Sequence, residues 1–345
     1  MRIRRIARRM VRSRCVRVPK AQAEQVRRRL AFAGALRGDL RPGRDRDFVY
    51  LPVSGAAREP VGTLCERDLE PVRKPPESYR ETAGVPSELR KGLPRAFDVI
   101  GKVLIIKIPD GLAQYRREIG KALLLARPEA RSVAMDRGVQ GEDRVRDLEV
   151  IAGEPELETT HVEHGLRFLL DPSKVYFSPR LATERSRVAG LVREKEAVLD
   201  MFAGVGPFSI QIAKRARPSV VRAADINPAA VEYLKRNLRL NKVSGVEPML
   251  ADARELPGKV PPADRIVMNL PHSAFGFLPV ALELLRPGGT VHLYEIVARE
   301  GLARRREEVA AAVEGAGREL LSVRPRLVRG FSASESHYVF DLWID

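Results

Sequence analysis

Short apolar runs alternate with amphipathic segments through the carboxyl-terminal half of the chain. The apolar runs predict buried strands, and they fall at 197–199, 219–224, 246–251, 265–268 and 290–294. Between the second and third runs, Ala230, Val231, Leu234 and Leu238 recur at spacings of three and four. That spacing predicts a helix with one buried face.

The pattern continues with a helix over 299–316 and two strands over 319–327 and 336–344. Five alternating strand and helix units followed by a hairpin predict an α/β fold. We expect a Rossmann-like, mostly parallel sheet of seven strands, with the hairpin antiparallel at one edge.

Proline-rich punctuation divides the rest of the chain. Residues 1–66 predict a small α+β domain with a strand, a helix over 20–32 and a strand over 47–53. A polar, proline-bearing linker is predicted over 67–93. Residues 94–165 predict a second α+β domain, which begins with a strand over 99–108, and residues 166–345 form the large domain.

Charge indicates the partner. The 345 residues contain 61 Lys plus Arg against 45 Asp plus Glu, a net charge of +16, which favours a nucleic acid. Codon bias or heat adaptation explains a preference for Arg over Lys but not the excess of cations. Eight arginines in residues 1–20 resemble a transit peptide, but the alternation favours a basic strand that faces RNA.

Other classes are not indicated. Cys15 and Cys65 are far apart in sequence and lack metal-ligand spacing, so neither a disulfide scaffold nor a metal site is predicted. No apolar run approaches the length of a membrane span, so we expect a soluble, cytoplasmic protein.

Acidic residues and glycines follow the first three predicted strands of the large domain. Asp200 ends the first strand and precedes a turn in which Gly204 and Gly206 allow the backbone to approach a ligand. Asp225 ends the second strand, where it is placed to accept hydrogen bonds from ribose hydroxyls, and Asp252 follows the third. Pro207 after the second glycine disfavours a dinucleotide site. The order suggests the class I methyltransferase variant of the fold.

The fourth strand ends in Asn269-Leu270-Pro271-His272. A carboxamide on a proline-stiffened loop offers a donor and an acceptor to a nucleobase edge. Adenine and cytosine amino-methyltransferases carry a similar tetrapeptide that ends in an aromatic residue, and His272 weakens that interpretation. A tight turn, a helix cap at Asp225 and an ordinary loop at Asn269 remain the alternatives for each motif taken alone.

Two longer segments, together with the glycine loop and Asn269-Leu270-Pro271, carry a family resemblance. They are Glu163-His164-Gly165-Leu166-Arg167-Phe168 and Tyr176-Phe177-Ser178-Pro179-Arg180-Leu181-Ala182-Thr183-Glu184-Arg185. The chain resembles the archaeal and eukaryotic tRNA (guanine-N1)-methyltransferases that act at position 37 of tRNA. The resemblance implies S-adenosylmethionine as cofactor and tRNA as partner, contacted at the anticodon loop and the elbow, by a monomer. The family pattern leads us to expect lysine rather than His272.

Roles for individual residues follow from the resemblance and from the chemistry of guanine. Methylation of N1 requires a base for its proton, for which Glu184 is the candidate, and a cation for O6, which the resemblance assigns to Arg144. Asn269 would hold the base edge, Tyr176 and Pro271 would sandwich the flipped ring, and Arg185 would also contact the substrate. A salt bridge between Glu184 and Arg180, Arg185 or Arg187, and core packing of Tyr176, are the alternatives. The predicted cofactor residues are Arg180, Asp200, Phe202, Ala203, Gly204, Gly206, Asp225, Ile226, Asn227, Asp252, Ala253 and Asn269.

Two other functions remain open. One is a wyosine-pathway enzyme at the same tRNA position, either a methyltransferase on the tricyclic base or an aminocarboxypropyl transferase. The other is a non-catalytic RNA-binding protein that kept the fold.

Overall fold

The computed structural model describes residues 10–55, 62–72, 75–140, 145–332 and 334–345. Contacts between residues divide the chain into two units, Met1–Pro76 and Glu77–Asp345. Each unit is described by itself.

The first unit is a four-stranded antiparallel sheet with one packed helix. Its strands are β1 (Val11–Pro19), β2 (Gly43–Arg44), β3 (Phe48–Pro52) and β4 (Thr63–Leu69), in the order β2-β3-β1-β4, and its helix is α1 (Ala23–Phe32). Helix α1 buries Val26 and Leu30, one turn apart, on the face that meets the sheet.

Strand β1 confirms the basic strand over the described part of the amino terminus. Val16 and Val18 are buried, whereas Arg14 and Arg17 are exposed. Residues 1–9, which carry the other arginines of that prediction, lie outside the described residues. Cys15 lies opposite Cys65 in the β1–β4 ladder, and both are free thiols.

The segment predicted as a linker contains ordered elements at both ends. Residues 67–69 complete β4, and a helix of one turn, α2 (Tyr79–Thr82), begins after Ser78. Tyr79, Val85 and Leu93 are buried in the core of the second unit. The apolar side chains are too widely spaced among polar residues and prolines to give a periodic pattern, which is why the sequence indicated a linker.

A second sheet opens the second unit. Its strands are β5 (Asp98–Ile100), β6 (Val103–Ile106), β7 (Ser132–Gln140) and β8 (Val145–Gly153), in that order, and helix α3 (Arg116–Ala126) packs on it. The predicted single strand over 99–108 is two strands. Gly101 turns the chain at φ +55°, and a Cβ there would lie 2.5 Å from the carbonyl oxygen of Thr160. A hairpin of β9 (Thr159–Glu163) and β10 (Leu166–Leu170) follows.

The large sheet has seven strands, as predicted. They are β11 (Ala197–Asp200), β12 (Val220–Asp225), β13 (Val246–Leu250), β14 (Ala263–Met268), β15 (Leu285–Ala298), β16 (Leu320–Gly330) and β17 (Glu335–Ile344). The order is β13-β12-β11-β14-β15-β17-β16; β11 to β15 are parallel, and β17 is antiparallel to both of its neighbours. The associated helices are α4 (Ala182–Leu191), α5 (Pro207–Ala216), α6 (Pro228–Asn241), α7 (Leu278–Glu283) and α8 (Leu302–Gly315).

The strand order determines where a ligand can bind. Strand β11 pairs with β12 on one side and with β14 on the other, so the connections after β11 and β14 diverge. Such a switch point leaves a crevice outside the carboxyl ends of the strands. Both faces of β11 and β14 are buried under helices, as the continuous apolar runs predicted.

No helix in the described ranges is long and apolar enough to cross a bilayer. The same ranges contain no cluster of His, Cys, Asp and Glu that fits a metal ion.

Candidate active site

A cavity of about 600 Å³ lies at this crevice. Part of its wall comes from the segments that follow β11, β12, β13 and β14. The rest comes from β7, β8, the segment before α4, and strands β15 and β16 with the residues just beyond β16. We call these two parts the nucleotide half and the distal half.

The glycine turn shapes the floor of the nucleotide half. Gly204 and Gly206 have φ values of +55° and +85°, which glycine adopts without strain. The Gly204 N–H donates to Asp225 Oδ2 at 2.6 Å, and the Gly206 N–H donates to Ala203 O at 2.9 Å. The turn therefore directs backbone into the cavity and begins α5, where Pro207 occupies the first helical turn.

Asp225 and Asn227 are fixed by the start of α6. Asp225 Oδ1 accepts the Asn227 N–H at 2.9 Å, and Asn227 Oδ1 caps the helix by accepting from Ala229 N at 2.9 Å. Asn227 Nδ2 donates to Lys174 O at 2.9 Å. The helix cap is therefore Asn227 and not Asp225, for which capping was the alternative role, and Asp225 lies at the cavity wall.

The nucleotide half has an apolar side. The ring of Phe202 packs edge to face against Phe277, with centroids 5.1 Å apart. Asp252 binds the guanidinium of Arg254, with a shortest distance of 2.6 Å. An apolar slot with an acid at its rim suits a purine ring with an exocyclic amino group.

Asn269 stands where the two halves meet. Its side-chain amide oxygen, Oδ1, is buried and has no hydrogen-bond partner among the described residues. The loop that carries it is held by Pro271 O, which accepts the Ile296 N–H at 2.8 Å. A buried, unpaired amide oxygen in a cavity wall is a ready acceptor for a ligand.

Most predicted cofactor residues line the cavity together. Those that do are Phe202, Ala203, Gly204, Asp225, Ile226, Asn227, Asp252, Ala253 and Asn269. Asp200, Gly206 and Arg180 are not among the lining residues. A Cβ on Gly206 would overlap Leu234 Cδ1, and Arg180 Nε donates to Asp98 Oδ1 at 2.7 Å.

Asp200 is buried behind the glycine turn. Its Oδ2 accepts from Ser209 Oγ at 2.6 Å. Burial raises the pKa of Asp200 to about 7, with the nearby Asp225 adding to the shift. Its position supports the turn and does not place it in contact with a ligand.

The predicted substrate residues divide in the same way. Tyr176 and Pro271 line the cavity. Arg185 also borders it, but its guanidinium is 2.5 Å from Glu163 Oε2 and donates to Ser178 O at 2.8 Å. These partners hold the buried side chain in the wall, while its Nε has no hydrogen-bond partner among the described residues; a contact with substrate stays a prediction.

Glu184 is buried outside the lining of the cavity. Its carboxylate accepts from Arg187, with a shortest distance of 2.7 Å, and from the Tyr294 hydroxyl at 2.8 Å. Burial raises the pKa of Tyr294, so the hydroxyl remains a donor. The salt bridge to Arg187, one of the alternatives left open by the sequence, is present. Arg144 lies outside the described residues.

Sequence reasoning missed several cavity residues of the distal half, notably Arg146, Arg329 and Phe331. Arg146 stands two residues after Arg144, and the alternation of β8 offered a signal for it. Arg329 and Phe331 follow an irregularity in β16 that no pattern predicted.

The fold and the site together define a Rossmann-like, class I methyltransferase. Three family models match consecutive parts of the chain: the tRNA methyltransferase 5 N-terminal domain over 15–61, the TYW2 N-terminal domain over 82–156, and the TRM5/TYW2 methyltransferase domain over 159–320. The chain belongs to the TRM5/TYW2 family of methyltransferases.

Individual relatives span most of the chain. The tRNA (guanine(37)-N(1))-methyltransferase Trm5b of Pyrococcus abyssi is 48% identical over 81% of this chain and 83% of its own. The tRNA(Phe) (4-demethylwyosine(37)-C(7)) aminocarboxypropyltransferase of Methanocaldococcus jannaschii is 34% identical over 71% of this chain and 96% of its own.

Solved structures agree with this placement. The complex of aTrm5 and tRNALeu superposes with a TM-score of 0.70 at 32% identity, over 96% of this chain and 99% of that one. M. jannaschii TYW2 in complex with AdoMet superposes with a TM-score of 0.58 at 29% identity, over 72% of this chain and 99% of that one.

Proposed function

We propose that this chain transfers the methyl group of S-adenosylmethionine to N1 of the guanine at position 37 of tRNA, forming 1-methylguanosine. The observation that carries the proposal is a cavity with a nucleotide half and a distal half, joined at the side-chain oxygen of Asn269, which has no partner among the described residues. The relatives named as guanine-37 methyltransferases support it.

The nucleotide half fits S-adenosylmethionine. Asp225 would accept from the ribose hydroxyls, Asp252 from the adenine amino group, and the Phe202 and Phe277 rings would cover the purine. Gly204 lines the cavity at φ +55°, a conformation that glycine adopts without the strain of a Cβ. When bound, the cofactor supplies a methyl group on a positively charged sulfur, which makes it an electrophile.

The distal half would receive an everted guanine. Tyr176 of the distal half and Pro271 on the loop after β14 line the cavity and are the proposed stacking surfaces, and Asn269 is the proposed contact to the base edge. The lone pair of N1 forms the bond to the methyl carbon as the bond from that carbon to sulfur breaks. The N1 proton must leave to a base, and the ring then carries negative charge shared between N1 and O6 until the new bond to carbon neutralises it.

Glu184 is the proposed acceptor of that proton. Its carboxylate is now held by Arg187 and Tyr294, so the proposal requires Glu184 to leave the Arg187 contact when guanine enters. Arg187 would then still have a carboxylate partner, because it also donates to Asp341 Oδ2 at 2.8 Å.

Two features favour methyl transfer over aminocarboxypropyl transfer. The match to the P. abyssi methyltransferase is at 48% identity, against 34% for the aminocarboxypropyltransferase. In addition, residues 15–61 match the amino-terminal domain of tRNA methyltransferase 5.

The first unit is proposed to contact the tRNA elbow. Phe32 at the end of α1 is 98% exposed, and Arg28 and Arg29 beside it are exposed too. An exposed ring flanked by cations suits stacking on nucleobases near phosphates. The distal half would take the anticodon loop, and we propose a monomer that works in the cytoplasm, where tRNA is found.

The activity is tested with purified full-length protein, methyl-labelled S-adenosylmethionine and unmodified tRNA with G37 or A37. Nucleoside analysis should yield 1-methylguanosine from G37 and no product from A37. A four-carbon adduct would establish the aminocarboxypropyl alternative, and RNA binding without any transfer would establish a non-catalytic protein.

The role of Glu184 is tested by Glu184→Gln, which keeps the size of the side chain. We expect unchanged cofactor and tRNA affinity and a loss of roughly 100-fold or more in single-turnover rate. Glu194→Gln, at an exposed position beyond α4, is the control and should retain the full rate. A normal rate for Glu184→Gln would remove Glu184 as the proton acceptor.

A further inference from the structure

Arg329 is a cation in the distal half that has no carboxylate partner among the described residues. It lies near the end of β16, is half-buried and lines the cavity with Tyr176 and Pro271. Its Nε atom is buried without a hydrogen-bond partner in the described part of the chain. Burying a donor of a charged group without an acceptor costs free energy, unless a bound ligand accepts its hydrogen bond.

A β-bulge turns Arg329 towards this site. Along β16, Arg324 and Arg326 lie opposite Asp341 and Val339 of β17, and strict alternation would next place Val328 on that face. The register instead shifts between Leu327 and Arg329, so that Arg329 lies opposite His337. Bulges next to active sites commonly re-aim one side chain in this way.

Two nearby arginines are paired with carboxylates, whereas Arg329 forms no ion pair among the described residues. Arg146 is 3.1 Å from Asp98 and 3.5 Å from Asp136, and Arg180 is 2.7 Å from Asp98. His337 adds no positive charge at neutral pH, because burial lowers its pKa to about 4. Burial also lowers the pKa of Arg329 itself, and the opposing effects of Tyr176 and Asp98 offset only part of that shift.

We propose that Arg329 contacts O6 of the target guanine and stabilises the negative charge that O6 gains as N1 loses its proton on the way to methyl transfer. This assignment rests on the proposed function above. The edge of the base is neutral before the reaction and becomes negatively charged only during it. A cation that is already fixed in the cavity wall therefore stabilises the transition state more than the bound substrate. Arg329 adds a cation to the task that the resemblance assigned to Arg144.

The guanidinium could instead bind a tRNA phosphate. The two contacts differ in which measured quantity changes when Arg329 is replaced. A phosphate is charged before reaction, so losing its partner weakens tRNA binding and lowers the salt slope of binding by about one unit. An O6 contact acts on the chemical step, so its loss lowers the rate at saturating tRNA and leaves affinity unchanged.

The test compares Arg329→Met, Arg329→Lys and the control Arg326→Ala, an exposed residue on the same face of β16. Single-turnover methyl transfer to G37 tRNA is measured with saturating cofactor, together with the salt dependence of tRNA affinity. We expect Arg329→Met to lose roughly 100-fold in rate, Arg329→Lys to lose less, and Arg326→Ala to keep the full rate.

Three results would overturn the assignment: an unchanged rate for Arg329→Met, a loss confined to tRNA affinity with a reduced salt slope, or an equal loss for Arg326→Ala. Melting curves with bound cofactor show whether each variant is folded. If Arg329→Met does not fold, Arg329→Lys alone tests the assignment. Absence of 1-methylguanosine from the unaltered protein would instead refute the proposed function, which is a separate outcome.

Discussion

At the scale of single residues, Asp225 joins the local structure to the ligand site. Its two oxygens accept backbone N–H groups from Gly204 and Asn227, which set the direction of the carboxylate at the cavity wall. Hydrogen bonds from hydroxyls to an ionised acceptor contribute about 1.5–3 kcal/mol each.

We therefore expect Asp225→Ala to raise the dissociation constant for S-adenosylmethionine by roughly 10-fold to 100-fold, measured by calorimetry. Glu247→Ala is the control, since Glu247 lies on β13 outside the cavity and pairs with Arg222. Equal affinities for the two variants would contradict a ribose contact for Asp225.

Asp200 predicts a pH dependence of stability. Burial, the largest cause, raises its pKa in the folded protein from 3.8 to about 7. Between these values the unfolded chain loses the proton while the folded protein keeps it, so the contribution of Asp200 to stability falls as pH rises. Below pH 4 and above pH 7 the contribution is constant.

Asp200→Asn removes this titration and keeps an oxygen for Ser209. The difference in free energy of unfolding between the variant and the unaltered protein should move in favour of the variant by roughly 2–3 kcal/mol from pH 5 to pH 8. Urea titrations at the two pH values measure it. A difference independent of pH would show that Asp200 does not bind a proton in this range.

At the scale of elements, the turn from β11 into α5 depends on one glycine. Gly206 has φ +85°, and a Cβ would overlap Leu234 Cδ1 and lie 3.2 Å from Ile210 Cδ1. Backbone strain at such a φ costs about 1–2 kcal/mol for a residue with a Cβ, before any steric overlap.

Gly206→Ala should lower the melting temperature and weaken cofactor binding together, because the turn that it distorts contains Gly204. Gly190→Ala is the matched control: Gly190 lies inside α4 with ordinary φ and no atom within 4 Å of its added Cβ. We expect the control to be neutral or stabilised by about 0.5–1 kcal/mol. Equal melting temperatures for both variants would argue against the strain.

Elements with strong patterns were predictable, and irregular ones were not. The seven strands and helix α6 follow from apolar runs and from the spacing of Ala230, Leu234 and Leu238. The bulge in β16 depends on its pairing with β17. The break at Gly101 depends on the backbone of Thr160, which leaves no space for a Cβ. Local sequence contains no record of those neighbours.

At the scale of the whole molecule, substrate recognition is predicted to involve the whole tRNA. The net charge of +16 supports attraction to any RNA, so selectivity requires further contacts. Phe32, an almost fully exposed ring of the first unit, is the proposed contact to the elbow.

Phe32→Ala should weaken binding of full-length tRNA by about 1–3 kcal/mol, because stacking of one base contributes about that much. Binding of an anticodon stem-loop fragment should not change. Leu125→Ala, at an exposed apolar residue of α3, is the control. Equal weakening for both RNAs would show that Phe32 does not contact the elbow.

The class of fold, the position of the glycine turn and the strand-end residues Asp225 and Asn269 were predictable from the amino-acid sequence alone. These features are local, since the hydrophobic period and the turn chemistry depend on neighbouring residues along the chain. Parallel strands then bring their carboxyl ends to one edge whatever else the chain does.

Which charged groups reach the cavity depends on the packing of distant segments and could not be predicted from the sequence. Arg185 and Glu184 belong to the same motif, yet Arg185 borders the cavity while paired with Glu163, and Glu184 lies outside the lining, bound to Arg187 and Tyr294. Arg329 reaches the cavity from a strand whose pattern predicted only an edge. Whether a charged side chain can act on a ligand depends on its burial and on its partners, and residues far away in sequence determine both.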